Sequence, residues 1–401
     1  MTTPQQHRTP DDVTRIAIVG ASLAGATAAE TLRANGYTGA LVLIGDEAQP
    51  PYERPPLSKQ IQLGDATPDS AYLHPLDWYA EHDIELLTGQ PAADLDTTAR
   101  TLRVGNRTVG YDRLLLTTGS RPRHFAMADQ SGAEVVYLRT LEDALAIKAR
   151  LSQRLFIVGA GWIGLEVAAA ARAAGGTVTV VEAAPMPLAR VLGDEVAQVF
   201  ADLHREHGVD LRTSTTLEQV THQGGQSTVR LSDGTTVIAD VLLVGIGAEP
   251  NTDLAAAAGL ACENGVLVDA QLRTSDAHVY AAGDVANHDH PLLGRLRVEH
   301  WDNAIEQGRH AARTMLGDTT AYQRQPYFFT DQYDLGMEYV GHVGRDGYDQ
   351  VRIRGDLAGR VFTAYWTKGD RVLAGMHAND WDAIDEVRRL VGGSVSELPT
   401  G

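Results

Sequence analysis

The chain is short of cysteine, of lysine and of positive charge. Cys262 is its one cysteine, so no disulfide closes within the chain and no dithiol couple is available for redox work. That excludes electron transfer through paired thiols and suits a reducing compartment, the cytoplasm. Lys59, Lys148 and Lys368 are the only lysines, so one standing in a motif-rich stretch is a candidate functional residue. The formal net charge of −18 excludes general nucleic-acid binding, which needs clustered Lys and Arg to neutralise phosphates, and offers nothing to an anionic membrane. No apolar run reaches about 18 residues without a charge or a glycine, so no membrane-spanning helix is expected. Residues 1–12 are polar, lack the apolar stretch of a secretion signal and are expected to fray.

What is present describes a folded chain of two or three domains. Hydrophobic residues make up 43% of the 401 residues and charged residues 21%. Many of its 40 glycines gather in two short clusters, each after an apolar run. The first run, 16–19, leads through glycines into an Ala-rich helix, 24–35, and a strand, 40–44. Another strand, 114–117, ends in Thr118-Gly119. The same order then recurs: strand 155–158, glycines, helix 165–174, strand 177–181, and a strand at 241–244 that ends in Gly245-Ile246-Gly247. Strand–turn–helix–strand order implies parallel sheets with the turns at their carboxyl edges. A strand at 279–282 resumes the first pattern, so the second unit is inserted in the first. From about residue 325 aromatics become denser. Alternating runs at 360–366 and 371–376 read as antiparallel strands, and 381–391 as a closing helix.

The glycine clusters carry the chemistry. Gly20-Ala-Ser22-Leu23-Ala24-Gly25 has serine where the dinucleotide fingerprint has its middle glycine. Serine is small enough to let a pyrophosphate approach, and its hydroxyl offers a hydrogen bond. The following helix turns its N-terminal amides toward the phosphates. The acidic partner falls at Glu47, or next at Asp46. Gly159-Ala-Gly161-Trp162-Ile163-Gly164 matches the fingerprint in full. Glu182 ends the next strand, where a carboxylate binds a ribose 2′-OH and repels a 2′-phosphate; the nearest arginine after it is Arg190, so NADH is favoured over NADPH. Gly283-Asp284 closes the strand at 279–282. Its aspartate is placed to hold a ribityl hydroxyl of FAD or to cap a helix.

Seven stretches run in a shared order: GASLAG at 20–25, PPLSK at 55–59, YLRTLEDA at 137–144, GAGWIGLE at 159–166, YAAGDVA at 280–286, DNAIEQG at 302–308 and DQYDLGMEYVG at 331–341. In these the chain resembles the FAD-dependent NADH–ferredoxin reductases of bacterial oxygenase systems. The resemblance implies an α/β, glutathione-reductase-like fold. Its FAD domain takes 12–119 and 247–324, its NADH domain 120–246, and a small α+β C-terminal domain 325–401. It implies FAD contacts at Ala24, Glu47, Lys59, Ala92, Arg139, Asp284 and Trp301, with Arg54 facing the cofactor. It also implies that Lys59 and Glu166 meet beside the flavin. A lysine there stabilises negative charge on reduced flavin, and a glutamate holds the lysine. The implied partner is an iron–sulfur ferredoxin that feeds an oxygenase, and the implied assembly is a monomer or homodimer. Rubredoxin reductase, NADH oxidase and redox-sensing interaction module are the competing readings. The chain departs from the family at Ser22, in its short C-terminus, and at Tyr327-Phe328-Phe329, where relatives often carry tryptophan.

Other polar residues carry less. His288-Asp289-His290 reads as surface rather than as a metal site, and no metal is expected. His204 and His207 read as solvated helix residues, and Cys262 as a buried small one. Arg295, Arg297, Arg309 and Arg313 form either a basic patch or a solvated arginine face.

Overall fold

A computed structural model describes residues 13–344 and 346–399; the expectation for residues 1–12 lies outside them. Contacts divide the chain into two units. The first holds the chain up to Glu53, Ala71–Arg121 and Glu249–Pro326. The second holds Arg54–Ser70, Pro122–Ala248 and the chain from Tyr327 onward.

The first unit is built on a five-stranded parallel sheet. Its order is Val279–Ala281, Arg113–Leu116, Arg15–Val19, Ala40–Ile44, Ile84–Leu87. In Arg15–Val19 and Ala40–Ile44 every residue after the first is buried, as strands covered on both faces require. The strand at 279–281 thus returns to the first sheet, as the sequence order implies. The helix Leu23–Ala34 packs against Trp301–Met315 at close range: a Cβ on Gly308 would stand 2.5 Å from the Ala24 carbonyl oxygen. Two three-stranded sheets complete the unit, Ala92–Asp96 with Thr101–Val104 and Arg107–Gly110, and Val266–Val268 with Ala286–His290 and Gly294–Arg297.

The second unit repeats the plan. Its parallel sheet runs Asp210–Arg212, Thr177–Val181, Arg154–Val158, Val241–Val244, Val135–Val136. The helix Trp162–Ala173 starts three residues before the expected one, directly at the glycine turn. The C-terminal segment adds an antiparallel sheet in the order Tyr327–Gln332, Leu335–Gly341, Arg371–Ala378, Val361–Lys368, Gln350–Asp356. Strand alternation gives this sheet two apolar faces. Met337, Phe362, Trp366 and Met376 join one core with Leu165, Val180 and Phe200, and Val340, Tyr365 and Val372 pack under the helix Ile384–Leu390. That helix is shorter than the expected 381–391, because Asp380–Ala383 forms a turn instead; the Ala383 amide donates to the Asp380 carbonyl at 2.9 Å. Among the described residues no helix is long and apolar enough to cross a membrane.

Three expectations about polar residues change, and one of two open readings of the arginines falls. His288 and His290 are not surface residues: they are 2% and 3% exposed on Ala286–His290, whose alternation turns only Asp289 outward. His204 is fully buried, one helical turn beyond Phe200 on the apolar stripe of Ala189–Glu206; His207 is exposed as expected. The four arginines form no basic patch, since Arg295, Arg297, Arg309 and Arg313 pair with Asp289, Glu299, Glu306 and Asp318. Cys262 is only half-buried. Among the described residues no group of three or more His, Cys, Asp or Glu side chains is placed to hold a metal.

Buried neutral histidines make stability depend on pH. Burial, foremost, pushes His288 down to about 3, with His290, His310 and Arg295 adding to it; burial likewise pushes His204 down to about 4, against its hydrogen bond to Gln332. The unfolded chain takes up these protons first. Each histidine therefore leaves stability intact above pH 6.5 and removes roughly 1.4 kcal/mol per pH unit below it, levelling off at its folded value. The melting temperature is expected to fall between pH 7 and pH 5, and to fall less in His288→Phe. Scanning calorimetry at the two pH values checks this, and equal melting temperatures would contradict it.

Candidate functional site

Both glycine turns stand where the sequence puts them, at the carboxyl ends of Arg15–Val19 and Arg154–Val158. Gly20 has φ +119° and Gly159 φ +97°, conformations that disfavour a side chain. Close approach decides the rest. A Cβ on Gly159 would lie 2.5 Å from the Gly245 oxygen, and one on Gly164 would lie 2.4 Å from the Gly159 oxygen. In the first turn a Cβ on Gly20 would lie 2.1 Å from the Thr117 oxygen, and one on Gly25 2.1 Å from the Gly20 oxygen. Gly161 differs: its Cβ would meet nothing nearer than 3.9 Å. Protein packing demands the outer glycines but not the middle one. The room left at Gly161 is compatible with the close approach of a pyrophosphate.

Neither following helix has a side-chain cap. Ser22 and Gly161 take the N-cap positions, the Ser22 hydroxyl caps no amide, and no acidic residue stands in either first turn. Amides and helix dipole are thus presented to an anion. The turns fit dinucleotides by this test. Leu23 and Ala24 are buried behind the first turn with Ala304 and the Trp301 ring, while Ile163 is 42% exposed in the second and Trp162 meets Phe328 and Phe200 edgewise or tilted.

The acidic residues at the next strand ends differ in anchoring. Glu182 accepts from the Ala160 amide at 2.9 Å and from the Ala184 amide at 2.8 Å, which fastens its carboxylate to the glycine turn. Glu47 accepts from the Tyr52 hydroxyl, whereas Asp46 is exposed. In the first unit Asp284 accepts from the Ser120 hydroxyl at 2.9 Å, and the Gly283 amide donates to Gln307 at 2.9 Å. Thr118 and Asn251 exchange hydrogen bonds beside Gly119, and Ala92 opens the strand Ala92–Asp96.

Three residues that the sequence groups with the FAD contacts belong to the second unit: Arg54, Lys59 and Arg139. Arg54 Nη1 donates to the Arg139 carbonyl. Gly247, with φ +98°, also lies there, and its carbonyl accepts from the Arg123 amide at 2.9 Å. Pro55 and Pro56 start a short 3-10 turn whose fixed φ delivers Lys59 to the head of Gln60–Leu63; Gln62 ties this segment to the carbonyls of Leu57 and Ala144 at 2.8 and 2.9 Å.

Lys59 and Glu166 meet. Lys59 Nζ lies 2.7 Å from Glu166 Oε1, with the two residues 8% and 4% exposed. Glu166 is not the solvated helix residue its motif position allows. Burying two charges costs several kcal/mol per ion, and hydrogen bonds must satisfy what the pair does not. For the carboxylate they do so here: Thr330 Oγ1 donates to Oε1 at 2.6 Å, and Ser58 Oγ donates to Oε2. The Phe329 ring centroid lies 5.3 Å from Lys59 Nζ, within cation–π reach. Sequence reasoning missed Ser58 and Thr330. Ser58 adjoins the lysine and was open to suspicion. Thr330 stands 164 residues from Glu166, with no local signal.

The glycine geometry yields a test that needs no ligand. Gly164→Ala, driven against a backbone oxygen, is expected to lose about 1–3 kcal/mol of stability, and Gly161→Ala less than about 1 kcal/mol. Denaturant melts of the two variants compare them, and equal losses would contradict the packing account.

Comparison with known proteins agrees with this geometry. The pyridine nucleotide-disulphide oxidoreductase family matches residues 14–308, and the reductase C-terminal family matches residues 327–399. Putidaredoxin reductase CamA of Pseudomonas putida is 41% identical, over 90% of this chain and 87% of its own. The ferredoxin–NAD(+) reductase component of the anthranilate 1,2-dioxygenase system of Burkholderia cepacia is 39% identical, over 95% of each. The crystal structure of the covalent putidaredoxin reductase–putidaredoxin complex includes a chain that superposes with a TM-score of 0.90 at 38% identity, covering 94% of this chain and 93% of that one. With two nucleotide turns, a reductase C-terminal sheet and relatives of this likeness along nearly its whole length, the chain belongs to the pyridine nucleotide-disulphide oxidoreductase family, among the FAD-dependent ferredoxin–NAD(+) reductases.

Proposed function

We propose that this chain oxidises NADH and passes the electrons through FAD to an iron–sulfur ferredoxin that serves an oxygenase. The observation that carries the reading is two dinucleotide turns in a chain with one cysteine. Two nucleotides with no dithiol between them leave the electrons to an outside acceptor. The names of the relatives supply its kind: a ferredoxin of a dioxygenase system, or putidaredoxin. The cytoplasm, with its NADH and reducing thiols, is the compartment this chemistry suits.

The residues divide the work. FAD is assigned to the segments 12–119 and 247–324, with Gly20, Ser22, Gly25 and the amides after them on its pyrophosphate, and Glu47 and Asp284 on hydroxyls. NADH is assigned to 120–246, with Gly159, Gly161 and Gly164 under its pyrophosphate and Glu182 on its ribose. The segment 325–401 is assigned as the C-terminal domain. When bound, FAD supplies a two-electron acceptor for NADH that gives electrons up singly to a one-electron partner. Lys59 offers a buried positive charge to the negative charge of the reduced ring, in surroundings where such a charge counts for more than in water. Glu166 holds the ammonium in place.

NADH-driven cytochrome c reduction tests the function. Adding a [2Fe–2S] ferredoxin is expected to raise the rate at least about tenfold. An equal rate without it, with oxygen consumed, would replace the reading by an oxidase.

Coenzyme choice follows from Glu182. Its carboxylate is held by two backbone amides and cannot swing away from a 2′-phosphate. NADH is expected to exceed NADPH in kcat/KM by at least about tenfold, and Glu182→Ala to narrow the gap. Equal wild-type values for the two coenzymes would refute this role.

A further inference from the structure

The hydrogen bonds on Glu166 continue away from Lys59, within the same unit. Thr330 Oγ1 lies 2.6 Å from Glu166 Oε1, Gln332 Nε2 lies 3.1 Å from Thr330 Oγ1, and His204 Nε2 lies 2.8 Å from Gln332 Oε1. All four residues are buried: Glu166 is 4% exposed, Thr330 and Gln332 1% each, and His204 0%. Thr330 and Gln332 stand two apart on Tyr327–Gln332, so both side chains leave the same face of the strand.

The chemistry of the groups sets the direction of this string. Glu166, ionised beside Lys59, can only accept. Thr330 has one hydroxyl proton and gives it to Glu166, so its oxygen must accept from Gln332. Gln332 then turns its amide nitrogen to Thr330 and its oxygen to His204. His204 must therefore donate from Nε2, which leaves Nδ1 without a proton in the neutral ring. His204 Nδ1 is indeed buried and makes no hydrogen bond among the described residues. Burial keeps the ring neutral at working pH.

We propose that His204 is a positioning residue for the Lys59–Glu166 pair: through Gln332 and Thr330 it fixes the rotation of the Glu166 carboxylate, and with it the place of the Lys59 ammonium. Without the string the Thr330 hydroxyl is a free rotor, and Glu166 Oε1 loses one of the two donors that tell it apart from Oε2. The kinetic consequence rests on the reading of Lys59 and Glu166 as the pair that serves the flavin; the hydrogen-bond order does not.

The test uses the full FAD-loaded chain and two readouts. In anaerobic stopped flow, His204→Phe, Gln332→Leu and Thr330→Val are each expected to slow flavin reduction by NADH about tenfold, the scale of one hydrogen bond to a charged group. The apparent Kd for NADH should stay within about twofold, and Thr330→Ser should stay within about threefold of the wild-type rate. The double variant His204→Phe/Thr330→Val should be no slower than Thr330→Val, because both changes break one string. Gln332→Leu breaks it from the middle should His204→Phe fail to fold. The second readout is the ¹⁵N spectrum of His204 at pH 7, expected to show the Nε2–H tautomer. A wild-type rate in His204→Phe or Gln332→Leu while Glu166→Gln is slow overturns the proposal, as do additive losses in the double variant or an Nδ1–H tautomer. A wild-type rate in Glu166→Gln sinks the reading of the pair instead, and the tautomer then decides the string alone.

Discussion

A lysine and a glutamate placed out of water within 2.7 Å of each other constrain much of the second unit. The attraction alone does not repay the desolvation of two ions, so the remaining lone pairs of the carboxylate need donors. The partners come from three stretches of chain. Ser58 arrives with Lys59 on the proline-led turn, Glu166 with the helix of the second glycine turn, and Thr330 with the first strand of the C-terminal sheet. Arg54–Ser70 clusters with the second unit although the chain on either side of it belongs to the first, and the Gln62 bond to the Ala144 carbonyl ties it there as well. Such a pair is weak as a source of stability, because apolar residues of similar volume would do as well or better. In the proposed reading it is kept for the charge it offers a flavin.

The two glycine turns obey a different constraint, that of parallel strands feeding helices. The outer glycines are consumed by strand–helix packing, as the approaches to Thr117, Gly245 and Gly159 show. The middle position is free of protein, and there the two turns diverge, serine in one and glycine in the other. Ser22 makes no cap bond, so its hydroxyl faces the same task as the open space before Gly161. In the proposed reading, one architecture thus carries two turns that differ at the position facing the nucleotide.

Much of this was legible in the sequence. The order of strands, turns and helices follows from local apolar runs and glycine spacing, and the parallel registers confirm it. Glu182 was legible by its distance from Gly159, though its two backbone donors were not. The His288-Asp289-His290 alternation was itself a strand signal, and its reading as surface gave polarity priority over period. His204 likewise stood one turn from Phe200 on an apolar stripe. Long-range partners left no trace: nothing near Glu166 announces Thr330, and nothing near His204 announces Gln332, because strand pairing in the C-terminal sheet brings them in. The arginines are a different case: of their two open readings the basic patch falls, and the acidic partners that decide it, Asp289, Glu299, Glu306 and Asp318, all stand within a few residues and were open to local reading.

The central claim is that Lys59 and Glu166 are kept for function at no gain in stability. The double variant Lys59→Met/Glu166→Leu tests it most directly, with melting temperature and stopped-flow reduction of the bound flavin measured on the same sample. The account predicts a melting temperature at or above that of the wild type, where each single change loses about 3–5 kcal/mol by stranding a buried charge, together with flavin reduction slowed at least about a hundredfold. A double variant that melts as early as the single variants while reducing its flavin at the wild-type rate would contradict it.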